Sequence, residues 1–246
     1  MKMRLFVLVS LAVVGALLAA ACYNGHGRTA GSGHVVTEQR AFTDFTALDL
    51  ENIFDAEVVQ SDSFSVEITA DDNLQERVKV SKDGEVLKIR LERRRFHHIT
   101  LTAKITMPVL SGLDLDGLSR VTVTGFKSSQ DLHLDLSEAS SLTGDIDAGD
   151  VVIEVSDASA VRLAGSASTL TLDASGRSRV DLADFTVNEA SVELSGLSRA
   201  TVSASERLDP VDLSGDSRLE YLGDPTFGVI DTSGDSAIHR GGIAGR

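Results

Sequence analysis

The sequence predicts an all-β protein whose main domain is a right-handed parallel β-helix, a solenoid with coils of 19 to 21 residues and an N-terminal β cap. Three observations predict this fold: a serine that returns at regular spacing, an acid five positions before each serine, and apolar residues on both sides of the acid. Self-similarity at such a period is typical of a solenoid, in which each repeat buries its apolar face by stacking on its neighbours. The right hand follows from the general preference of parallel crossovers.

The recurring serines occupy the second half of the chain. Successive serines are 21, 19, 19, 20, 19 and 19 residues apart, and they are Ser119, Ser140, Ser159, Ser178, Ser198, Ser217 and Ser236. The sequence contains neither the asparagine-bearing consensus of a leucine-rich repeat nor the nonapeptide of a Ca²⁺-binding roll. A parallel β-helix with one coil per repeat therefore remains.

The acids predict which side chains face outward. They are Asp114, Asp135, Glu154, Asp173, Glu193, Asp212 and Asp231. Alternation with period two is typical of a half-buried strand, so the apolar neighbours of each acid point inward and the acid points outward. A serine-rich bend follows each triplet, and we expect a second strand after it whose inward face includes the recurring serine.

Residues between 35 and 107 have a looser pattern, which predicts the N-terminal cap. The segment from Leu48 to Val58 overlays the one from Leu113 to Val123, with Phe54 in place of the serine, so the first coil begins near residue 45. Further strands are expected at 64–69 and 85–91, joined by a turn at 82–84, and at 99–107. Five of the nine phenylalanines fall in this half, as closure of an end coil requires; they are Phe42, Phe45, Phe54, Phe64 and Phe96.

The amino terminus has the pattern of a secretory signal peptide over residues 1–21, because Lys2 and Arg4 precede an apolar stretch. Cys22, the only cysteine, follows Leu18 and three alanines, as in a bacterial lipobox, although the leucine stands one position early. We expect Cys22 to carry a lipid, diacylglycerol with palmitate, that anchors the mature chain in the membrane. The alternatives are an ordinary signal peptide that leaves a free cysteine, and an uncleaved anchor, for which the stretch is short against a span of about 20 residues.

The expected mature chain is acidic. Removal of residues 1–21 removes two positive charges, which leaves 21 Lys and Arg against 37 Asp and Glu, a net charge of −16. Such a surface repels nucleic acid, so no nucleic-acid partner is expected. Residues 22–34 are predicted to form the lipidated cysteine and a flexible tether, and residues 35–242 one elongated domain.

The stacked acids are the first candidate for a binding site. Neighbouring carboxylates about 4.8 Å apart could be bridged by a divalent cation, and Asp212 with Asp231 is the best case. Ca²⁺ requires six to eight oxygens, which alternate residues of a strand do not bring together. We favour a solvated acidic face that discourages edge-to-edge aggregation.

The arginines and serines are the remaining candidates for catalysis. Arg120, Arg179, Arg199 and Arg218 directly follow recurring serines, and we expect them to pair with nearby acids. The regularity of the coils argues against a polysaccharide-lyase groove, which unique residues and long loops would interrupt. The serines lack a positioned base, since His133 and His239 lie outward in different coils, and we expect the serine hydroxyls to satisfy each other. No catalytic, cofactor-binding or metal-binding residue is therefore predicted.

One basic cluster lies outside the repeats, at residues 93–98, where three arginines precede Phe96 and two histidines. Such a cluster could bind a phosphate or an acidic polysaccharide. The alternative is a solvated connection between the cap and the helix.

The phrases that begin at Phe45 and Ile105, and the later Leu-Ser-Gly-x-Ser runs, resemble the GIN domain, described as the head domain of autotransporter adhesins and common in bacterial envelope lipoproteins. The resemblance covers roughly residues 35–242 and implies a β-helix at the cell envelope, on the periplasmic side or the cell surface. We therefore expect a non-enzymatic, adhesin-like binding or structural module, with envelope polysaccharide or protein as partner. The alternative is a lyase-like carbohydrate-active enzyme or a cation-dependent polysaccharide binder.

Overall fold

The computed structural model describes residues 29–92 and 95–242. The predicted signal peptide, Cys22 and the first part of the predicted tether lie outside the described residues. Within the described ranges, no helix has the length and apolar character needed to cross a bilayer.

The N-terminal part contains nine strands and one short 3₁₀ helix. These elements are β1 (Thr29–Ala30), β2 (Val35–Gln39), β3 (Ala47–Glu51), β4 (Asp55–Gln60), β5 (Ser65–Asp71), the 3₁₀ helix (Gln75–Arg77), β6 (Val78–Asp83), β7 (Val86–Leu91), β8 (Phe96–His97) and β9 (Leu101–Met107).

The remaining strands form the regular part of the solenoid, and in its later coils a second strand runs directly into the next acid triplet. These strands are β10 (Gly112–Leu115), β11 (Arg120–Lys127), β12 (Leu132–Leu136), β13 (Ser141–Asp147), β14 (Asp150–Val155), β15 (Ala160–Ala174), β16 (Arg179–Leu194), β17 (Arg199–Leu213), β18 (Arg218–Leu222), β19 (Thr226–Phe227), β20 (Ile230–Thr232) and β21 (Ala237–Arg240).

The predicted solenoid and its register are confirmed. Leu113 of β10 pairs in parallel with Leu134 of β12, and Asp114 pairs with Asp135. The apolar members of these triplets are buried, whereas Asp114 is exposed. Successive coils therefore place identical positions of the repeat above one another, and the apolar columns form one continuous core.

The first coils are stacked in an order that differs from their order in the sequence. The predicted overlay is confirmed, because β3 pairs with β10 and β4 pairs with β11 in the expected register. On their other side, β3 pairs with β7 and β4 pairs with β9. The coil of β7 and β9 is thus the last of the parallel coils at this end, and residues 108–111 lead the chain past the β3–β4 coil to β10.

The predicted β cap is confirmed, and its strands are antiparallel. β5 pairs with both β2 and β9, and β6 forms a hairpin with β7. Phe45 and Phe54 are fully buried, with the ring centroids of Phe45 and Phe64 4.9 Å apart. The prediction that a turn at 82–84 joins strands at 64–69 and 85–91 is wrong: residues 82–83 belong to β6, an additional strand that the turn at 84–85 joins to β7.

The end of the predicted tether is bound to the cap. β1 pairs in parallel with β8, and the amide of Gly33 donates a 2.7 Å hydrogen bond to the carboxylate of Asp71, which is 1% exposed. The same carboxylate accepts the amide of Thr100 at 2.7 Å. A Cβ on Gly31 would lie 2.5 Å from both an Asp71 oxygen and the carbonyl oxygen of His98, so this close approach requires glycine.

The C-terminal end of the described solenoid differs from the capped end. Ile230 of the last coil is 42% exposed, whereas Val211, its partner in the preceding coil, is 1% exposed. Phe227 is also 41% exposed. The last described coil therefore covers its neighbour and has its own outer side in contact with solvent.

The register can be tested at two adjacent residues of β16. Leu194 is fully buried, so Leu194→Ala should lower the free energy of unfolding by about 2 to 5 kcal/mol through lost burial and the cavity that remains. Glu193 is exposed in the acid column, so Glu193→Gln is the matched control and should change it by no more than about 0.5 kcal/mol. Urea unfolding followed by circular dichroism measures both; equal losses would contradict the register.

Candidate functional site

The serine column is internal and structural. Ser119, Ser140, Ser159, Ser178, Ser198 and Ser217 are buried. The hydroxyls of Ser119 and Ser178 donate to the carbonyl oxygens three residues earlier, at 3.1 and 2.7 Å. The expectation that the serines satisfy each other is wrong for most of them, because in the described residues only Ser140 bonds to another column member, Ser159, at 3.3 Å. A hydroxyl with these contacts serves the bend of its own coil and is not accessible to a substrate.

The acid column is continuous and one coil longer than predicted. Each carboxylate stands in register with the next, from Asp49 through Asp114, Asp135, Glu154, Asp173, Glu193 and Asp212 to Asp231. Towards the cap the column ends in a cation, because Lys88 pairs with Asp49 and its Nζ lies 3.6 Å from the carboxylate. Parallel stacking therefore places like charges about 4.8 Å apart along one face.

Asp114 is the member of this column whose ionisation the structure perturbs most. Although part of Asp114 is exposed, its neighbours partly shield the carboxylate from water, which disfavours the charged form. Repulsion by Asp49, Asp135, Asp116 and Glu51 adds to this effect, so the pKa rises to about 6. Asp114 lies where the column has three consecutive aspartates. This carboxyl group is therefore about half protonated near pH 6.

The acid column does not converge on a cation site in the described residues. Among residues 29–92 and 95–242, no group of three or more His, Cys, Asp or Glu side chains could hold a metal ion. Asp212 and Asp231 do stand in register, as predicted. Asp216 in the adjoining bend instead pairs with Arg218 at 2.9 Å. The oxygens are thus arranged in a line along the solenoid, and a chelating cluster needs them on several sides of one point.

A second outward column consists of the residues that directly follow the buried serines. Arg179, Arg199 and Arg218 occupy it in three consecutive coils, exposed and in register, and we call them the arginine row. Arg218 pairs with Asp216. Arg120, which lies three coils from Arg179 towards the cap, pairs with Asp55 at 3.6 Å. The expected pairing is wrong for Arg179 and Arg199, which have no ion pair with any described residue.

Beside the arginine row, a column of hydrogen-bonding groups follows the same direction. It lies two residues further along each strand and contains Asp181, Thr201, Glu220 and His239 in register. Together the two columns line a shallow groove of about 390 Å³. His239 is exposed on this groove, whereas His133 is exposed on the strand of the acid column, so the two histidines do not meet, as predicted.

Residues 95–98 of the predicted basic cluster lie beside the cap. Arg93 and Arg94 are outside the described residues. His97 belongs to β8, which pairs with β1, and the rings of His97 and His98 meet edge to face at 5.3 Å. Binding of a phosphate or an acidic polysaccharide at this cluster stays a prediction.

Coils stacked in register behind an antiparallel cap define the chain as a parallel β-solenoid protein. The resemblance seen in the sequence is confirmed: the chain belongs to the family described as "putative auto-transporter adhesin, head GIN domain", whose sequence profile matches residues 44–225. A comparison with curated proteins found no match.

Several solved structures share the fold. A "putative adhesin" from Bacteroides fragilis is 18% identical, with a TM-score of 0.77 over 85% of this chain and 98% of its own. A "putative lipid binding protein" from Parabacteroides distasonis is 16% identical, with a TM-score of 0.66 over 88% and 100%. A "putative adhesin" from Parabacteroides merdae is 16% identical, with a TM-score of 0.62 over 86% and 98%. At these identities the likeness shows the fold alone.

The raised pKa of Asp114 predicts a pH dependence of stability. The folded state keeps this proton up to about pH 6, whereas the unfolded chain releases it near pH 3.8, so the native state binds more protons between these values. The contribution of this group is therefore fully present below about pH 4 and is lost as the pH rises through 6. Asp114→Asn should raise the free energy of unfolding at pH 7 by up to about 1 kcal/mol, after allowance for solvent screening, and change it little at pH 4.

The measurement is urea unfolding at pH 4 and at pH 7. Asp62→Asn is the matched control, because Asp62 is exposed between β4 and β5, outside the acid column. A gain for Asp114→Asn that is equal at both pH values would contradict the assignment.

The acid column also predicts a response to salt. Because stacked carboxylates repel, added salt should raise the melting temperature slightly by screening, and Ca²⁺ should do no more than Mg²⁺ at equal ionic strength. Calorimetric titration with Ca²⁺ tests the cation hypothesis directly. Saturable micromolar binding that disappears in an Asp212→Asn, Asp231→Asn double variant would contradict this prediction.

Proposed function

We propose that this protein is a non-enzymatic, adhesin-like binding module that Cys22 anchors to the bacterial cell envelope by a lipid. The observation that carries the proposal is the register of the acid column and of the arginine row from coil to coil, in a chain of the GIN domain family. A catalytic site needs different groups that converge on one reacting atom. The acid column and the arginine row instead repeat one chemical group over consecutive coils, which suits a long ligand bound at several equivalent points.

The envelope location is supported by the pattern at the amino terminus. Residues 1–21 have the form of a secretory signal, and Cys22 follows it directly. Six residues, 23–28, separate Cys22 from β1, and they span at most about 20 Å when extended. Since β1 lies on the cap, a lipid on Cys22 would hold the capped end near the membrane.

An anchor at the capped end would direct the opposite end of the solenoid away from the membrane, towards possible partners. The arginine row lies several coils from the cap, at the end of the solenoid remote from the proposed anchor. The acidic surface would be repelled by anionic headgroups, so the domain would stand away from the bilayer. We expect its partner to be a polysaccharide or a protein of the envelope or of a neighbouring surface.

The anchor is tested by Cys22→Ser. Because no other residue of the chain is cysteine, this variant cannot form the diacylglycerol thioether. We expect it to move to the soluble fraction after cleavage or to remain unprocessed, whereas the unaltered chain stays with the membrane. Fractionation with mass spectrometry of the amino terminus measures both properties. Processed Cys22→Ser protein that still cofractionates with membranes would contradict the lipid anchor.

A further inference from the structure

The arginine row is an unusual use of charge in this protein. The chain has 37 acidic residues against 23 basic ones, so carboxylates to pair with arginines are plentiful. The three arginines instead stand in register on consecutive coils, with backbone positions about one strand spacing of 4.8 Å apart, so that their like charges repel each other. Arg179 and Arg199 have no carboxylate partner among the described residues. Two exposed guanidinium forks in such a row remain available to an external anion.

Other arginines in the same two columns form ion pairs with acids of the same chain. Arg120 contacts Asp55, and Arg162, in the neighbouring column, contacts Asp181 at 3.6 Å and Asp184 at 4.0 Å. The lack of partners is therefore a property of Arg179 and Arg199 and not of the strand face in general. A planar guanidinium binds a carboxylate through two parallel hydrogen bonds, so a row of them recognises a row of carboxylates.

The column beside the arginine row restricts the class of ligand. Asp181 and Glu220 line the same groove, together with Thr201 and His239. A polymer with negative charges on both sides, such as a nucleic-acid duplex, would meet these carboxylates and be repelled. A polymer with carboxylates along one side and hydroxyls along the other would place its carboxylates on the arginines and its hydroxyls on the acids and Thr201.

We propose that the groove between these two columns binds a polyuronate, an acidic polysaccharide with one carboxylate on each sugar. This proposal rests on the proposed function of the domain as a binding module and names its ligand class. The sequence contains no tryptophan and two tyrosines, and Tyr221, the tyrosine within the described residues, does not line the groove. Sugar recognition here therefore depends on charge and hydrogen bonds, with little contribution from aromatic stacking.

The test uses the full chain in detergent and polygalacturonate as the probe, with binding measured by calorimetric titration. An Arg179→Gln, Arg199→Gln double variant should weaken binding at least about tenfold, which corresponds to about 1.4 kcal/mol. The matched control is Arg120→Gln with Arg77→Gln, which removes the same charge from arginines that pair with Asp55 and Glu92, outside the groove. It should change the affinity less than about twofold, and binding should weaken as salt rises.

Two further probes separate a polyuronate from other ligands. Carboxyl-reduced polygalacturonate keeps the sugar backbone and should not bind, and poly-L-glutamate should bind at least about tenfold more weakly than polygalacturonate. The proposal is overturned if the unaltered chain does not bind polygalacturonate, if the control variant loses as much affinity as the arginine-row variant, or if either further probe binds as tightly. Circular dichroism confirms that the variants are folded.

Failure of this proposal is distinguishable from failure of the envelope module. Membrane fractionation of the same preparations reports the location of the protein independently of the probe. Membrane-bound protein that does not bind polygalacturonate overturns only the proposal that the arginine row binds a polyuronate. Processed protein in the soluble fraction that binds polygalacturonate through Arg179 and Arg199 overturns only the anchor.

Discussion

Parallel stacking of coils in register is the constraint on which this structure depends. The acid triplets and the start of each second strand lie over the same positions of the next coil, so a residue type at these positions is repeated along a whole column. Inside the solenoid this arrangement is favourable, because apolar side chains cover each other continuously from the cap to the last coils. Outside, the same arrangement places like charges side by side. Electrostatic repulsion between identical charged groups therefore limits which residues can occupy the outward columns.

The acid column shows two ways in which that repulsion is reduced. From Asp135 to Asp212, aspartate and glutamate alternate, so neighbouring carboxylates extend to different distances from the sheet. Towards the cap, Lys88 ends the column with a positive charge on Asp49. Asp114 has neither advantage, since it stands between two aspartates of the same length and is one coil removed from the lysine. This position helps to raise the pKa of Asp114 to about 6.

The sequence predicts the parts of the fold that repeat and misses those that occur once. Leu194 and Glu193 could be placed inside and outside because their pattern recurs in every coil. The position of the β7–β9 coil could not, because a loop of four residues can connect to either neighbour and leaves no periodic signal. For the candidate site, the arginine column was visible in the sequence. The lack of carboxylate partners at Arg179 and Arg199 was not visible there. Ion pairing depends on acids in other columns, and only the folded chain defines the distance between columns.

The two ends of the solenoid manage their open edges differently. Antiparallel strands and large aromatic side chains close the first end, where Phe54 takes the place that serine has in later coils. At the last described coil, Phe227 and Ile230 remain partly exposed beside Asp231. Another molecule that added a strand to this edge in register would extend the acid column by one more carboxylate. The repulsion that costs stability within one molecule therefore also opposes the addition of a strand from another molecule at this edge.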